Sequence, residues 1–91
     1  AEQALEWGLV SDVFPAEEFA ARTAEVAQRY AALPTRAVAL TKRLFEQAQV
    51  NDLEQQLELE ATLQDEAAGT ADFREGVAAF LEKRSPSFSG S

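Results

Sequence analysis

Along most of the chain, side chains of one character recur three and four positions apart, the spacing that lines one face of an α-helix. The first long stripe is Phe19, Thr23, Val26, Ala27, Tyr30 and Leu33, and it predicts a helix over 15–33. Pro15 suits its first turn, where a missing N–H is unpaired in any case, and Glu17 and Glu18 suit the positive end of its dipole. Pro34 ends that helix and opens a second over 35–49, with Val38, Thr41, Leu44, Phe45 and Ala48 on one side. Asn51 is the expected N-cap of a third helix over 52–68, with Glu54 completing a capping box. Its leucines, Leu53, Leu57, Leu59 and Leu63, spread too widely for one narrow stripe, so this helix has a broad apolar face or meets two neighbours. Gly69 ends it.

Thr70 caps a fourth helix over 71–84, where Asp72 favours the N-terminal dipole. Phe73, Val77, Phe80 and Leu81 fall at i, i+4, i+7 and i+8, a single apolar face, and on this spacing Phe80 is a core residue. Lys83 and Arg84 fall in the last turn, where a positive charge offsets the dipole by about 0.3–1 kcal/mol. Pro86 cannot continue the helix, so residues 85–91 read as a loop-like tail. At the other end, "AEQALEWG" reads as a helix end with Gly8 just past its last turn, a place for a left-handed residue. "LVSDVF", residues 9–14, is a short extended segment with no partner strand. The fold expected is all-α, a small orthogonal bundle of about four main helices.

Composition narrows what such a bundle does. A length of 91 residues suits one domain with a thin core. There is no cysteine and no histidine, which removes disulfides, Cys/His metal sites and the commonest general base. Sixteen acids against eight bases give a net charge of −8, and nucleic-acid binding needs the opposite sign. No apolar run approaches the ~20 residues of a membrane span, and "AEQALEW" lacks the order of a signal peptide. The expected setting is cytoplasmic. From Leu44 to Phe73 there are acids and no base, which reads as a solvated face. Carboxylates one or two positions apart, such as Glu58 and Glu60, do not face each other on a helix. No catalytic and no metal-ligating residue is therefore assigned.

Three stretches carry a resemblance. "AEQALEWGLVSDVFP" (1–15), "LPTRAVALTKRLF" (33–45) and "ADFREGVAAFLEKRSPSFSG" (71–90) are similar, in order and spacing, to the C-terminal part of the enoyl-CoA hydratase/isomerase (crotonase) superfamily. The run "ADFREGVAAFLEKRSP" followed by Phe88 and Gly90 is most similar to the phenylacetate-degradation branch, which isomerises a ring-epoxide of phenylacetyl-CoA. The resemblance implies a parent chain about three times as long, whose N-terminal part holds the oxyanion hole and the catalytic carboxylates. It implies residues 1–14 as a junction to that domain, 15–84 as the helical C-terminal domain and 85–91 as the tail. It also implies packing with the catalytic domain and in a homo-oligomer, a trimer or hexamer.

Within that family a Phe-x-x-Lys pattern near the end of the last long helix reaches coenzyme A bound in a neighbouring subunit. Here the pattern is Phe80-Leu81-Glu82-Lys83. The resemblance thus implies Lys83 as a point charge for coenzyme A phosphates and Phe80 as a ring beside the adenine. It implies no prosthetic group and no metal; coenzyme A arrives as part of the substrate. The leading expectation is the assembly and lid segment of an acyl-CoA-processing enzyme, inactive alone. The alternative is a free-standing helical interaction module. Either way Trp7, Val10, Val13, Phe14 and the leucines after Asn51 are expected to lie exposed and to promote self-association.

Overall fold

The computed structural model describes residues 1–91 and contains helices but no strand. The helices are α1 (Glu2–Glu6), α2 (Phe19–Ala31), α3 (Thr35–Gln47), α4 (Leu53–Ala68) and α5 (Ala71–Glu82). The all-α expectation holds, and α2 to α5 are its four main helices. None is long and apolar enough to cross a membrane. The chain divides into two compact units, Ala1–Tyr30 and Ala31–Ser91, and the tail falls inside the second.

In the first unit α1 closes as Gly8 predicts. Gly8 has φ +70°, its N–H donates to the Leu5 carbonyl, and the Leu9 N–H reaches back to the Ala4 carbonyl at 2.8 Å. That 6→1 and 5→2 pair is a Schellman closure, and it needs a left-handed residue between its two donors. Residues 9–14 form no strand. Pro15 does not start α2: the Glu18 N–H donates to the Pro15 carbonyl at 3.0 Å, so a turn intervenes and the helix begins at Phe19. A proline's fixed φ suits a turn as well as a first helical turn, so it marks the chain reversal rather than the helix start. Glu17 and Glu18 accordingly precede the helix instead of occupying its first turn. Val13 and Phe14 are half-buried, whereas Trp7 and Val10 are exposed. The Arg22 guanidinium lies 5.3 Å from the Phe14 ring centroid, a cation–π distance.

In the second unit α4 packs on both α3 and α5. That accounts for its spread of leucines: Leu63 is buried, Leu59 half-buried, and Leu53 and Leu57 are exposed. With Leu40 of α3 and Ala79 of α5, Leu63 completes the buried apolar set. The Gln56 amide donates to the Leu44 carbonyl and Arg36 pairs with Glu66 at 2.9 Å, tying α4 to α3. The N-cap of α4 is Asp52, not Asn51: its side chain accepts from the Gln55 N–H, and the Gln55 side chain accepts from the Asp52 N–H. "NDLEQQ" contains two overlapping capping boxes, Asn51/Glu54 and Asp52/Gln55, and the fold uses the second. Asn51 instead donates to Gln56.

The tail is docked rather than loose. The Asp72 side chain, 3 % exposed, accepts from the Ser89 N–H at 2.7 Å, the Gly90 N–H at 2.9 Å and the Ser89 hydroxyl at 3.3 Å. Its own N–H donates to the Ser91 carbonyl. Asp72 lies in the first turn of α5 as expected, and its carboxylate also holds the tail.

Candidate functional site

The site implied by Phe-x-x-Lys lies at the C-terminal end of α5. Thr70 caps the helix as expected, its hydroxyl accepting from the Phe73 N–H at 3.0 Å. From there Phe73, Val77, Phe80 and Leu81 run down one side. The spacing reading of Phe80 as a core residue fails: its side chain is 83 % exposed, and Phe73, Val77 and Leu81 are exposed too. Periodicity aligns apolar side chains on one face but cannot say whether the chain itself covers that face. These four residues line an open apolar groove of about 380 Å³ together with Pro34, Ala37 and Phe88. Phe88 enters the sequence reading only as part of the family resemblance, which gives it no place in this groove.

The helix ends at Glu82, so Lys83 and Arg84 lie beyond its last turn, contrary to the sequence expectation. Lys83 is left-handed, with φ 55° and ψ 39°, and it is the chain's one non-glycine residue with positive φ. Its N–H donates to the Phe80 carbonyl and the Arg84 N–H to the Ala79 carbonyl at 3.0 Å. This is the same Schellman closure as at Gly8, built on a lysine. A side chain in this conformation costs about 1–2 kcal/mol. Its side chain is exposed, just past the Phe80 ring in sequence.

Arg84 offsets no dipole from within the helix; it is a clamp. Its guanidinium pairs with both oxygens of Glu75 at 2.6 and 2.9 Å and with Glu82 at 2.6 Å. The hydrogen bond from Arg84, followed by that from the Ser87 N–H, lowers the Glu75 pKa to about 2. The same pairing with Glu75, then Glu82, raises that of Arg84 above its ordinary range. A carboxylate held so low is a poor proton acceptor near neutrality, so Glu75 has no use as a general base.

The enoyl-CoA hydratase/isomerase family profile matches residues 1–91, the whole chain. The chain belongs to that family. It is 44 % identical over 90 residues to the 1,2-epoxyphenylacetyl-CoA isomerase of Escherichia coli K12, covering 99 % of this chain and 34 % of that one. It is 40 % identical over 93 residues to the 2,3-dehydroadipyl-CoA hydratase of the same strain, covering 99 % of this chain and 35 % of the relative. The crystal structure of an enoyl-CoA hydratase from Geobacillus kaustophilus HTA426 superposes with a TM-score of 0.83 at 38 % identity, over 99 % of this chain and 34 % of that one. The chain thus spans about a third of the length of these hydratase/isomerase family members. An isomerase and a hydratase share this segment at similar identity, so the segment itself does not separate the two reactions.

Proposed function

We propose that this chain forms the C-terminal helical segment of an acyl-CoA-processing enzyme and that the exposed end of α5 meets coenzyme A bound in a neighbouring subunit. Lys83 supplies a point charge to the coenzyme A phosphates, and the Phe80 ring lies beside the adenine. The observation that carries this reading is Lys83 itself. A lysine occupies a left-handed position that glycine fills without strain, its side chain is exposed, and Phe80, three residues earlier, is exposed too. Strain kept at one residue is a pointer to use.

The parent reaction is proton transfer at the carbon next to a thioester, with the enolate held by backbone N–H groups elsewhere in the parent protein. No residue of this chain is assigned a chemical step. Isolated, it is inactive. It packs against its own catalytic domain and in a homo-oligomer in the cytoplasm, with no prosthetic group, and coenzyme A enters with the substrate. The first substrate to test is a ring-epoxide of phenylacetyl-CoA, on the strength of the 44 % identity with the E. coli isomerase; an enoyl-CoA is the second. The interaction-module alternative draws only on the exposed apolar face, which the enzyme reading accounts for equally.

The test is a comparison of two thioesters of one acyl group in the full-length enzyme carrying this segment. Lys83→Ala should raise KM for the coenzyme A thioester by roughly three- to tenfold, the range of a lost exposed charge contact. KM for an N-acetylcysteamine thioester, which lacks the phosphates and adenine, should not move. Equal effects on both thioesters, or none on either, would remove Lys83 from coenzyme A.

A further inference from the structure

A lysine with positive φ needs something to hold it there, because its own backbone preference runs the other way. The residues after Lys83 supply it. Had the helix continued, Ser87 would lie about 18 Å along the axis from Glu75, at 1.5 Å per residue. Instead the Ser87 N–H donates to Glu75 Oε1 at 2.8 Å. The same oxygen accepts from the Arg84 guanidinium at 2.6 Å, and Glu75 Oε2 accepts from it at 2.9 Å. The reversal continues past Gly76, where a methyl would meet the Phe88 ring at 3.7 Å, to Asp72, whose carboxylate accepts the Ser89 and Gly90 N–H groups. The chain therefore runs back along α5, and the left-handed turn at Lys83 is what sends it back. The bonds to Glu75 need that turn, so each favours the other by the same free energy. Glu82, the acid that adjoins Lys83 in sequence, is engaged as well: it accepts from Arg84 at 2.6 Å.

We propose that Glu75 and Arg84 are positioning residues for Lys83: their ion pair holds the left-handed turn from which the lysine side chain meets the coenzyme A phosphates. This role rests on the coenzyme A reading of Lys83 given above. Neither residue is given a contact with substrate; both act through position 83. The pair works in two ways. It fixes the backbone, by tying the residue that follows Lys83 to a carboxylate more than two turns back along α5. It also covers charge, since Arg84 pairs with two carboxylates that would otherwise oppose an approaching phosphate.

Two readouts on the full-length enzyme test it: amide exchange at Lys83 and Arg84, whose N–H groups close the helix end, and the ratio of KM for the coenzyme A thioester to KM for the N-acetylcysteamine thioester. Glu75→Ala should speed exchange at both amides by about tenfold. It should raise the KM ratio by roughly two- to fivefold, and add nothing further in a Lys83→Ala background, because it acts through that lysine. Glu75→Gln, which still accepts the Ser87 N–H without the charge, should fall between Glu75→Ala and the original. If Glu75→Ala fails to fold, Arg84→Ala decides on the same readouts. Faster exchange with a raised ratio that vanishes in the Lys83→Ala background supports the role. Unchanged exchange, an unchanged ratio where Lys83→Ala alone raises it, or effects that add, overturns the role and leaves the coenzyme A contact standing. A Lys83→Ala enzyme whose ratio does not move overturns the contact itself, and the positioning role with it.

Discussion

Two helix ends in this chain use the same hydrogen bonds and different residues. At the end of α1 the left-handed position is Gly8, with open space where a side chain would be. At the end of α5 it is Lys83, with the matching 6→1 and 5→2 bonds from Arg84 and Lys83 itself. Glycine there is the conformationally easy choice; a lysine is the strained one. The difference teaches where stability is the plain explanation and where it is not. Gly8 needs nothing beyond chain geometry. Lys83 keeps a charged side chain at a position where the backbone favours having none, and the end of α5 is also where the apolar face stays open to solvent.

The comparison breaks or sharpens under substitution. Lys83→Val is expected to have the largest effect, because a β-branched residue resists positive φ most; it should lower unfolding stability by about 1–2 kcal/mol in urea titration. Gly8→Ala should loosen its own end by about 1 kcal/mol, read as faster exchange of the Leu9 amide. Lys83→Gly should go the other way, leaving stability unchanged or raising it by up to about 1 kcal/mol, since the strain relieved exceeds the added chain entropy. A Lys83→Gly variant less stable than Lys83→Val would show that the lysine side chain itself holds the helix end.

A smaller effect comes from the clamp beside that end. The folded-state pKa of Glu75 is depressed, from 4.5 to about 2, chiefly by Arg84. Its contribution to stability is therefore fully present above the unfolded value and is lost as pH falls from about 4.5 toward 2. The Glu75 carboxylate is partly solvated, so the effect is modest. Melting at about pH 3 should occur at a lower temperature than at about pH 7, and Glu75→Gln should narrow the gap. A gap of the same size in that variant would assign the acid sensitivity to other carboxylates.

The helices and most of their boundaries were legible because capping and proline chemistry are local. Gly8 and Thr70 act where their residue types imply. The misses share a cause. Asn51 and Asp52 are adjacent and both cap well, so a one-residue choice was set by the contacts that follow rather than by propensity. Pro15 fits a turn as well as a helix start. The exposure of Phe80 depends on whether another element covers its face, and spacing carries no such information. Asp72 was legible as a first-turn acid, but its partners lie 17 and 18 residues away along the chain. Of the candidate site, Phe80 and Lys83 were found through family likeness alone; the left-handed backbone that distinguishes Lys83 is a property of the folded chain.

Coenzyme A affinity of the Lys83→Gly variant, measured by titration calorimetry on the assembled full-length enzyme, tests the account most directly. Glycine keeps the helix closure and removes only the side chain, so folding and contact are separated in one substitution. The account predicts an enzyme at least as stable as the original that binds coenzyme A roughly three- to tenfold more weakly, with part of that loss disappearing at high salt. Unchanged affinity in a well-folded Lys83→Gly enzyme would contradict it, and the strained lysine at the end of α5 would then have no role in holding the substrate.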